Sequence, residues 1–334
     1  MLAMVASEGG VIQAAPGFGK SFTIAQFARL YPNAKFAITV KSTENANSLH
    51  RDLVAVLPNV GRVGAGNRNF GRVTVYNADS LHYCDGDIDF LIADEVHELV
   101  ADKYTASLSN VVVAACSRNF GFTATFGERA DGAQARAEGL FGPKVFLNTQ
   151  QESEKAGSVV PVEIHWHDVP MDNPVNGKSG VSRKRWGIWR NELRNKLIAK
   201  IALEQDDTDQ VLIIVGTTEH AAYLKELLPD FTLVHGPMSS SDLAYYKKQG
   251  LLPDDYVSPK AKDLARIKTE FERRELLKVI ATGKWATGVS FESLSVLIRA
   301  DASPGAVLAV QIPGRVTRIH SASGKTVGVV HDFE

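Results

Sequence analysis

Lys20 and Ser21 close the stretch Ala14-Ala15-Pro16-Gly17-Phe18-Gly19-Lys20-Ser21, which fits the phosphate-cradling P-loop pattern with Ala in place of its first Gly. In that pattern the loop residues Ala15, Pro16, Gly17 and Gly19 wrap nucleotide phosphates. The glycines let backbone N–H groups turn inward, and the following helix adds the positive end of its dipole. Lys20 would reach the β- and γ-phosphates, and the Ser21 hydroxyl would hold Mg²⁺. The bland counterpart is a Gly-rich turn ahead of a helix, so the rest of the chain bears on the choice.

A second set follows the apolar run Ile88 to Ala93: Asp94-Glu95-Val96-His97. Beside a P-loop, Mg²⁺ takes its second protein anchor from a carboxylate at the end of a buried strand, so Asp94 is expected on the metal. Glu95 is then placed to orient or deprotonate an attacking water, and His97 to sense the γ-phosphate. Seen alone, the same residues are an acidic strand exit with a surface His. Near the other end stands Gln311-Ile312-Pro313-Gly314-Arg315-Val316-Thr317-Arg318. Arg315 and Arg318, three apart, are expected on one helical face, where both guanidinium forks can converge on a triphosphate. A basic helix surface is the alternative for this pair.

These groups need elements that carry them to one edge. Val11-Ile12 leads into the P-loop, and Ser21 to Leu30 has the character of a helix. Apolar runs then alternate with helix-length segments: Lys35 to Val40, Glu44 to Leu57, Arg72 to Tyr76 and Ile88 to Ala93. This rhythm predicts a parallel sheet with helices on both faces, whose ligands lie at the carboxyl ends of the strands. A polar stretch at Thr149 to Ser158 and a Pro-, Asn-, Gly- and Ser-rich one at residues 170–183 mark a boundary. The fold class expected is therefore α/β, with one domain over residues 1–157 and a second over 158–334. In the second, Gln210 to Val215 is a buried strand and Glu219 to Leu228 a helix. A short strand ends at His235-Gly236, Ser239 to Tyr256 is irregular, and a charged helix runs from about Pro259 to Leu277.

The apolar positions Trp186, Trp189, Leu193, Leu197 and Ile201 step by three or four and predict one amphipathic helix. Its other face carries Arg190, Arg194, Lys196 and Lys200, with Arg183, Lys184 and Arg185 upstream. Basic residues interleaved with aromatics suit nucleic acid. The favoured reading is a core-facing stripe with a solvated basic back.

Together, the P-loop, the Asp94–His97 box and Thr123-Ala124-Thr125 resemble motifs I, II and III of superfamily 2 helicases of the DExH type. Asp131-Gly132 and Gly139-Leu140-Phe141-Gly142-Pro143 resemble the branch with the XPB-like and phage recombination and repair helicases. Gln311 to Arg318 is similar to motif VI, and Thr282-Gly283 with Thr287-Gly288-Val289-Ser290 to motif V. The resemblance implies two tandem RecA-like domains with ATP·Mg²⁺ in their cleft, Gln311 and both arginines in catalysis, and Gly288 at the nucleotide. It also implies that Thr123 and Thr125 couple hydrolysis to movement. Lys41 and Ser42, Ser80, Thr217, Gly236 and Thr282 would contact nucleic acid, since hydroxyl, amide and ammonium donors suit phosphate oxygens. The activity implied is that of an ATP-dependent helicase or translocase working as a monomer, on DNA in preference to RNA. Alternatives are a packaging-type motor ATPase and a binding module with a decayed site. The family also carries an adenine-reading Gln segment upstream of the P-loop, for which thirteen residues leave little room.

The chain's 37 basic and 38 acidic residues give a net charge of −1, so a polyanion must be held by a local basic surface. Cys84 and Cys116 lack metal-ligand spacing and read as buried thiols in a reducing cytoplasm. No apolar run reaches the roughly 18–20 residues of a membrane span.

Overall fold

The computed structural model describes residues 1–85, 87–100, 102–115, 118–125, 132–169, 175–283, 285, 291–302 and 313–333. Gln311, Gly288, Cys116, Asp131 and the Thr287–Ser290 stretch lie outside these residues. The chain forms two compact units, Met1–Gly157 and Ser158–Glu334.

In the first unit the strands are β1 (Gly9–Ala14), β2 (Phe36–Val40), β3 (Val60–Gly64), β4 (Asn67–Asn69), β5 (Val73–Asn77), β6 (Phe90–Ala93), β7 (Arg118–Thr123) and β8 (Lys144–Asn148). Among the described residues they form one eight-stranded sheet in the order β4-β3-β5-β2-β6-β7-β1-β8. Its pairings are parallel except for the β3–β4 hairpin. Parallel neighbours need long crossovers, and the helices Lys20–Leu30, Thr43–Val54 and Asp102–Ala115 supply three of them. Helices on both faces explain why every residue of β2 and β5 is buried, polar Thr39, Thr74 and Asn77 included.

The core beneath the P-loop helix is aromatic. Fully buried Phe27 meets Phe36, Phe90 and Phe120 edge-on at centroid distances of 6.1, 5.0 and 5.7 Å. Phe36 and Phe90 stack at 4.7 Å. These rings join the helix after β1 to β2, β6 and β7, the strands that carry the candidate chemistry.

The second unit contains β9 (Val162–His167), β10 (Val211–Val215), β11 (Thr232–Val234), β12 (Lys278–Thr282), β13 (Val296–Arg299) and β14 (Gly328–Phe333). Among the described residues these make a six-stranded parallel sheet ordered β11-β12-β10-β13-β14-β9. Both sheets are thus mostly parallel and covered by helices, the RecA-like arrangement. No helix among the described residues is long and apolar enough to cross a membrane.

Two local expectations are overturned, and one element adds to those expected. The helix expected over Trp186 to Ile201 is broken. A short helix, Gly180–Lys184, runs into a π turn, Arg185–Trp189, and a new helix, Glu192–Leu203, starts after Asn191. The Asn191 side chain accepts the Arg194 N–H at 3.0 Å and caps this second helix, which resets the phase of the apolar stripe. Trp186 and Leu193 are therefore exposed, while Arg194 is buried, its guanidinium 5.1 Å over the Phe333 ring. Burial, opposed by Asp332 and Asp301, lowers the Arg194 pKa to about 10. The solvated basic back thus fails at Arg194. The Ser239–Tyr256 segment is not irregular throughout: Ser239 accepts the Asp242 N–H at 3.1 Å and starts a helix, Ser240–Lys248. Finally, the β3–β4 hairpin was not foreseen, because the short, exposed β4 has no apolar alternation.

Phe27→Ala should destabilise the chain by about 3–5 kcal/mol and Phe27→Leu by much less. Urea unfolding checks this; an Ala variant as stable as the parent would contradict the aromatic core.

Candidate functional site

The P-loop leaves β1 at the carboxyl edge of the first sheet. Gly17 and Gly19 adopt φ of 83° and 90°, left-handed conformations that let the chain turn directly into the helix Lys20–Leu30. Gly19 is the helix N-cap, and no side chain caps it. The N–H groups of the first turn are thus left for an anion.

Two strands away, β6 ends at Ala93 and Asp94 follows it. Glu95 takes φ 51°, a left-handed backbone that costs a non-glycine residue about 1 kcal/mol or more, and then caps the one-turn helix Val96–Leu99. This sharp turn keeps Asp94, Glu95 and His97 at the strand end. Gly121 of β7 makes room for it, since a Cβ there would stand 3.1 Å from the Val96 side chain.

Lys20 reaches across to both carboxylates. Its Nζ donates to Glu95 Oε1 in a very short contact and lies 3.6 Å from Asp94 Oδ1. Burial would lower the pKa of this ammonium, but the charges of Glu95 and Asp94 outweigh it and raise it to about 12. Burial is also the main cause that raises the Asp94 pKa, against the opposing pull of Lys20. Glu95 Oε2 is buried and has no hydrogen-bond partner among the described residues.

Behind the carboxylates, His97 Nδ1 lies 2.8 Å from Thr123 Oγ1 at the end of β7 and 3.5 Å from Glu95 Oε2. The Thr123 hydroxyl donates to the Thr125 carbonyl at 2.8 Å and accepts the Thr125 N–H at 3.1 Å. Its one proton is thereby used, so His97 is the donor, from Nδ1. His97 and Thr123 are both buried, which corrects the surface-His alternative. Structure thus brings together the P-loop, the acidic box, Thr123 and Thr125.

The expected nucleic-acid contacts all stand at or just beyond carboxyl ends of strands. Lys41 and Ser42 follow β2, and Ser80 lies in the 3₁₀ turn Ala78–Tyr83 after β5. Thr217 follows β10, Gly236 follows β11, and Thr282 ends β12. Lys41 Nζ sits 3.4 Å from Glu98 Oε1. Ser42 and Thr217 cap helices, accepting the Asn45 N–H at 3.0 Å and the His220 N–H at 3.2 Å. Accepting leaves each hydroxyl its proton to donate to a phosphate.

Arg315 and Arg318 do not share a helix. Arg315 ends the 3₁₀ turn Pro313–Arg315, and Thr317 Oγ1 donates to the Gly314 carbonyl at 2.8 Å, folding the chain back instead of continuing the helix. Burial and the nearby Arg318 lower the Arg315 guanidinium to about 10. Arg318 is more exposed and lies 3.5 Å from Glu292 Oε1. One positioning residue was missed entirely. Glu219 joins Arg185 and Arg190, more than twenty-five residues away in sequence, and only the fold brings them together.

Residues 5–128 match the sequence family described as type III restriction enzyme, res subunit. Among solved structures, a fragment of an HsdR subunit of a type I restriction enzyme from Vibrio vulnificus shares 16% identity at a TM-score of 0.68. That match covers 98% of this chain and 60% of the other. MrfA, a DUF1998 helicase solved bound to DNA, shares 13% identity at 0.67, over 99% of this chain and 45% of its own. Dbp5 of S. cerevisiae, solved with RNA and ADP BeF3, shares 14% identity at 0.60, over 98% and 80%. The chain shares its two-sheet fold with these three proteins. The chain spans less than two thirds of the first two structures, and no curated protein sequence matches it.

Thr123→Val removes a partner from His97 Nδ1 and Thr125 N, and should cost about 1–3 kcal/mol, with Thr123→Ser near the parent. Thermal unfolding of the three proteins decides it; equal midpoints would contradict the bridge.

Proposed function

We propose that this chain is an ATP-dependent nucleic-acid helicase or translocase that hydrolyses ATP with Mg²⁺, acting on DNA. The observation that carries the reading is the Lys20–Asp94–Glu95 cluster beside an uncapped helix N-terminus at the carboxyl edge of a parallel sheet. Those residues suit the groups proposed for them. The open helix end fits a polyphosphate, Asp94 is a half-buried carboxylate that shares one ammonium with Glu95, and Glu95 Oε2 is a buried acceptor without a donor among the described residues.

In this reading Ala15, Pro16, Gly17 and Gly19 wrap the phosphates and Lys20 neutralises them. Ser21 and Asp94 would hold Mg²⁺, which when bound offsets charge on the phosphate oxygens. Glu95 takes the proton of the attacking water. His97, Thr123 and Thr125 form a hydrogen-bonded bridge from the acidic box to the neighbouring strand end, which is the coupling role assigned to them. Lys41, Ser42, Ser80, Thr217, Gly236 and Thr282 receive the strand, and Arg315 and Arg318, with Gln311 and Gly288, are the further residues assigned to ATP hydrolysis. MrfA, seen with DNA, supports the DNA track; Dbp5, seen with RNA, supports RNA as the second reading. The narrower likeness to XPB-like and phage repair helicases rests on Asp131-Gly132, of which Asp131 lies outside the described residues, and on Gly139–Pro143, where Gly142 ends the helix Ala133–Phe141.

Lys20→Ala should lower ATP turnover about 10²–10³-fold, and Glu95→Gln about 10²–10⁴-fold. Arg318→Ala should cost about 10³–10⁵-fold if it acts as an arginine finger. Circular dichroism should show all three folded. Parent-like turnover in Lys20→Ala would remove the site assignment. Parent-like turnover in Arg318→Ala would remove only the second unit's share.

A further inference from the structure

The π turn Arg185–Trp189 is left over from the nucleotide site, and it is built with care. From 175 to 190 the sequence has five cationic residues, Lys178, Arg183, Lys184, Arg185 and Arg190, and no acidic one. Arg185 and Arg190 are five residues apart, the repeat of a π turn, so both guanidinium groups fall on one side. The backbone bond from Arg190 N–H to the Arg185 carbonyl, 2.8 Å, closes that turn. Glu219, at the start of the helix Thr218–Leu227, takes Arg185 on one carboxylate oxygen at 3.0 Å and Arg190 on the other at 2.6 Å. One buried carboxylate therefore locks the turn to the second unit.

What the lock presents is an aromatic surface. Trp186 is 41% exposed, with the Arg190 guanidinium 5.5 Å and the Lys178 ammonium 5.6 Å from its ring. Lys178 is brought there by a turn on Val175, a methyl of which lies 2.8 Å from where a Cβ of Gly187 would stand. Arg183 and Lys184 are exposed beside it. The turn's location is set by Trp189. Its Nε1 lies 3.8 Å from the position a Cβ would take on Gly216, just after β10, so the turn sits at the same carboxyl edge as Thr217.

We propose that Trp186 is a base-stacking surface for single-stranded nucleic acid, with Lys178, Arg183 and Lys184 holding the flanking phosphates and Glu219, through Arg185 and Arg190, as the positioning residue. The occupant follows from chemistry. Five cations against one paired carboxylate select a polyanion, and an exposed indole backed by a fixed guanidinium selects a flat, unpaired ring. Duplex bases have their faces covered, so the site takes a single strand. On binding, Lys178 gives up its place at the ring to the base and turns to a flanking phosphate. The site extends the track proposed above and rests on that reading for its place in the motor, but its binding can be measured alone.

The test compares two labelled strands of equal length, oligothymidylate and a base-free deoxyribose phosphate chain, by fluorescence anisotropy. The parent should bind thymidylate more tightly. Trp186→Ala should weaken thymidylate binding about 5- to 150-fold while leaving the base-free strand unchanged, and Trp186→Phe should restore most of the loss. The double variant Arg183→Ala/Lys184→Ala should weaken both strands and flatten the logarithmic salt slope by roughly 1.4. Oligouridylate in a parallel arm tells an RNA track from a DNA one. If the parent binds thymidylate and Trp186→Ala binds it equally well, the stacking surface is overturned and the motor reading stands. Equal loss on both strands in Trp186→Ala also overturns stacking. If the parent binds no strand with or without nucleotide, the motor reading falls and takes this site with it.

Discussion

A parallel sheet buried on both faces has one consequence from which the rest follows. Every strand runs the same way and needs a helix to return, so every strand-to-helix turn falls on one edge. In this chain that edge collects the P-loop after β1, Lys41 after β2, Ser80 after β5, Asp94 after β6 and Thr123 at the end of β7. The second sheet repeats the arrangement with Thr217, Gly236, Thr282 and the Trp186 turn. The aromatic packing under Phe27 keeps the P-loop helix over β2, β6 and β7, so the carboxylates and the lysine meet.

At that meeting point charge governs the geometry. Lys20, Asp94 and Glu95 share a largely water-excluded space, and each has its pairing decided by the others. Two carboxylates compete for one ammonium, which leaves Glu95 Oε2 buried without a donor among the described residues. The left-handed backbone at Glu95 is the local cost of placing it there. On the proposed reading, a triphosphate replaces the carboxylates as the partner of Lys20, and Glu95 is released to act on water. The hydrogen bond from His97 to Thr123 ties the same turn to β7.

How legible this was depended on whether the signal was local. The P-loop and the Asp94–His97 box were readable because strand, turn and helix chemistry coincide within a few residues. The parallel sheets followed from the alternation of apolar runs with helices. Arg194 was misplaced because Asn191 restarts the helix and shifts its phase, something periodicity averages over. The helical face assumed for Arg315 and Arg318 failed for a similar reason, since Thr317 bonds back to Gly314. Glu219 could not be found from sequence, because its partners come from a π turn roughly thirty residues upstream and only folding joins them.

The most direct measurement is steady-state ATP hydrolysis without polynucleotide and then with single-stranded, duplex and forked DNA and single-stranded RNA, taking Glu95→Gln as the blank. Hydrolysis should depend on Mg²⁺ and rise when one of these strands is added, most with DNA. Hydrolysis that ignores every polynucleotide would keep the P-loop chemistry and contradict the motor, and a parent no faster than Glu95→Gln would contradict the site itself.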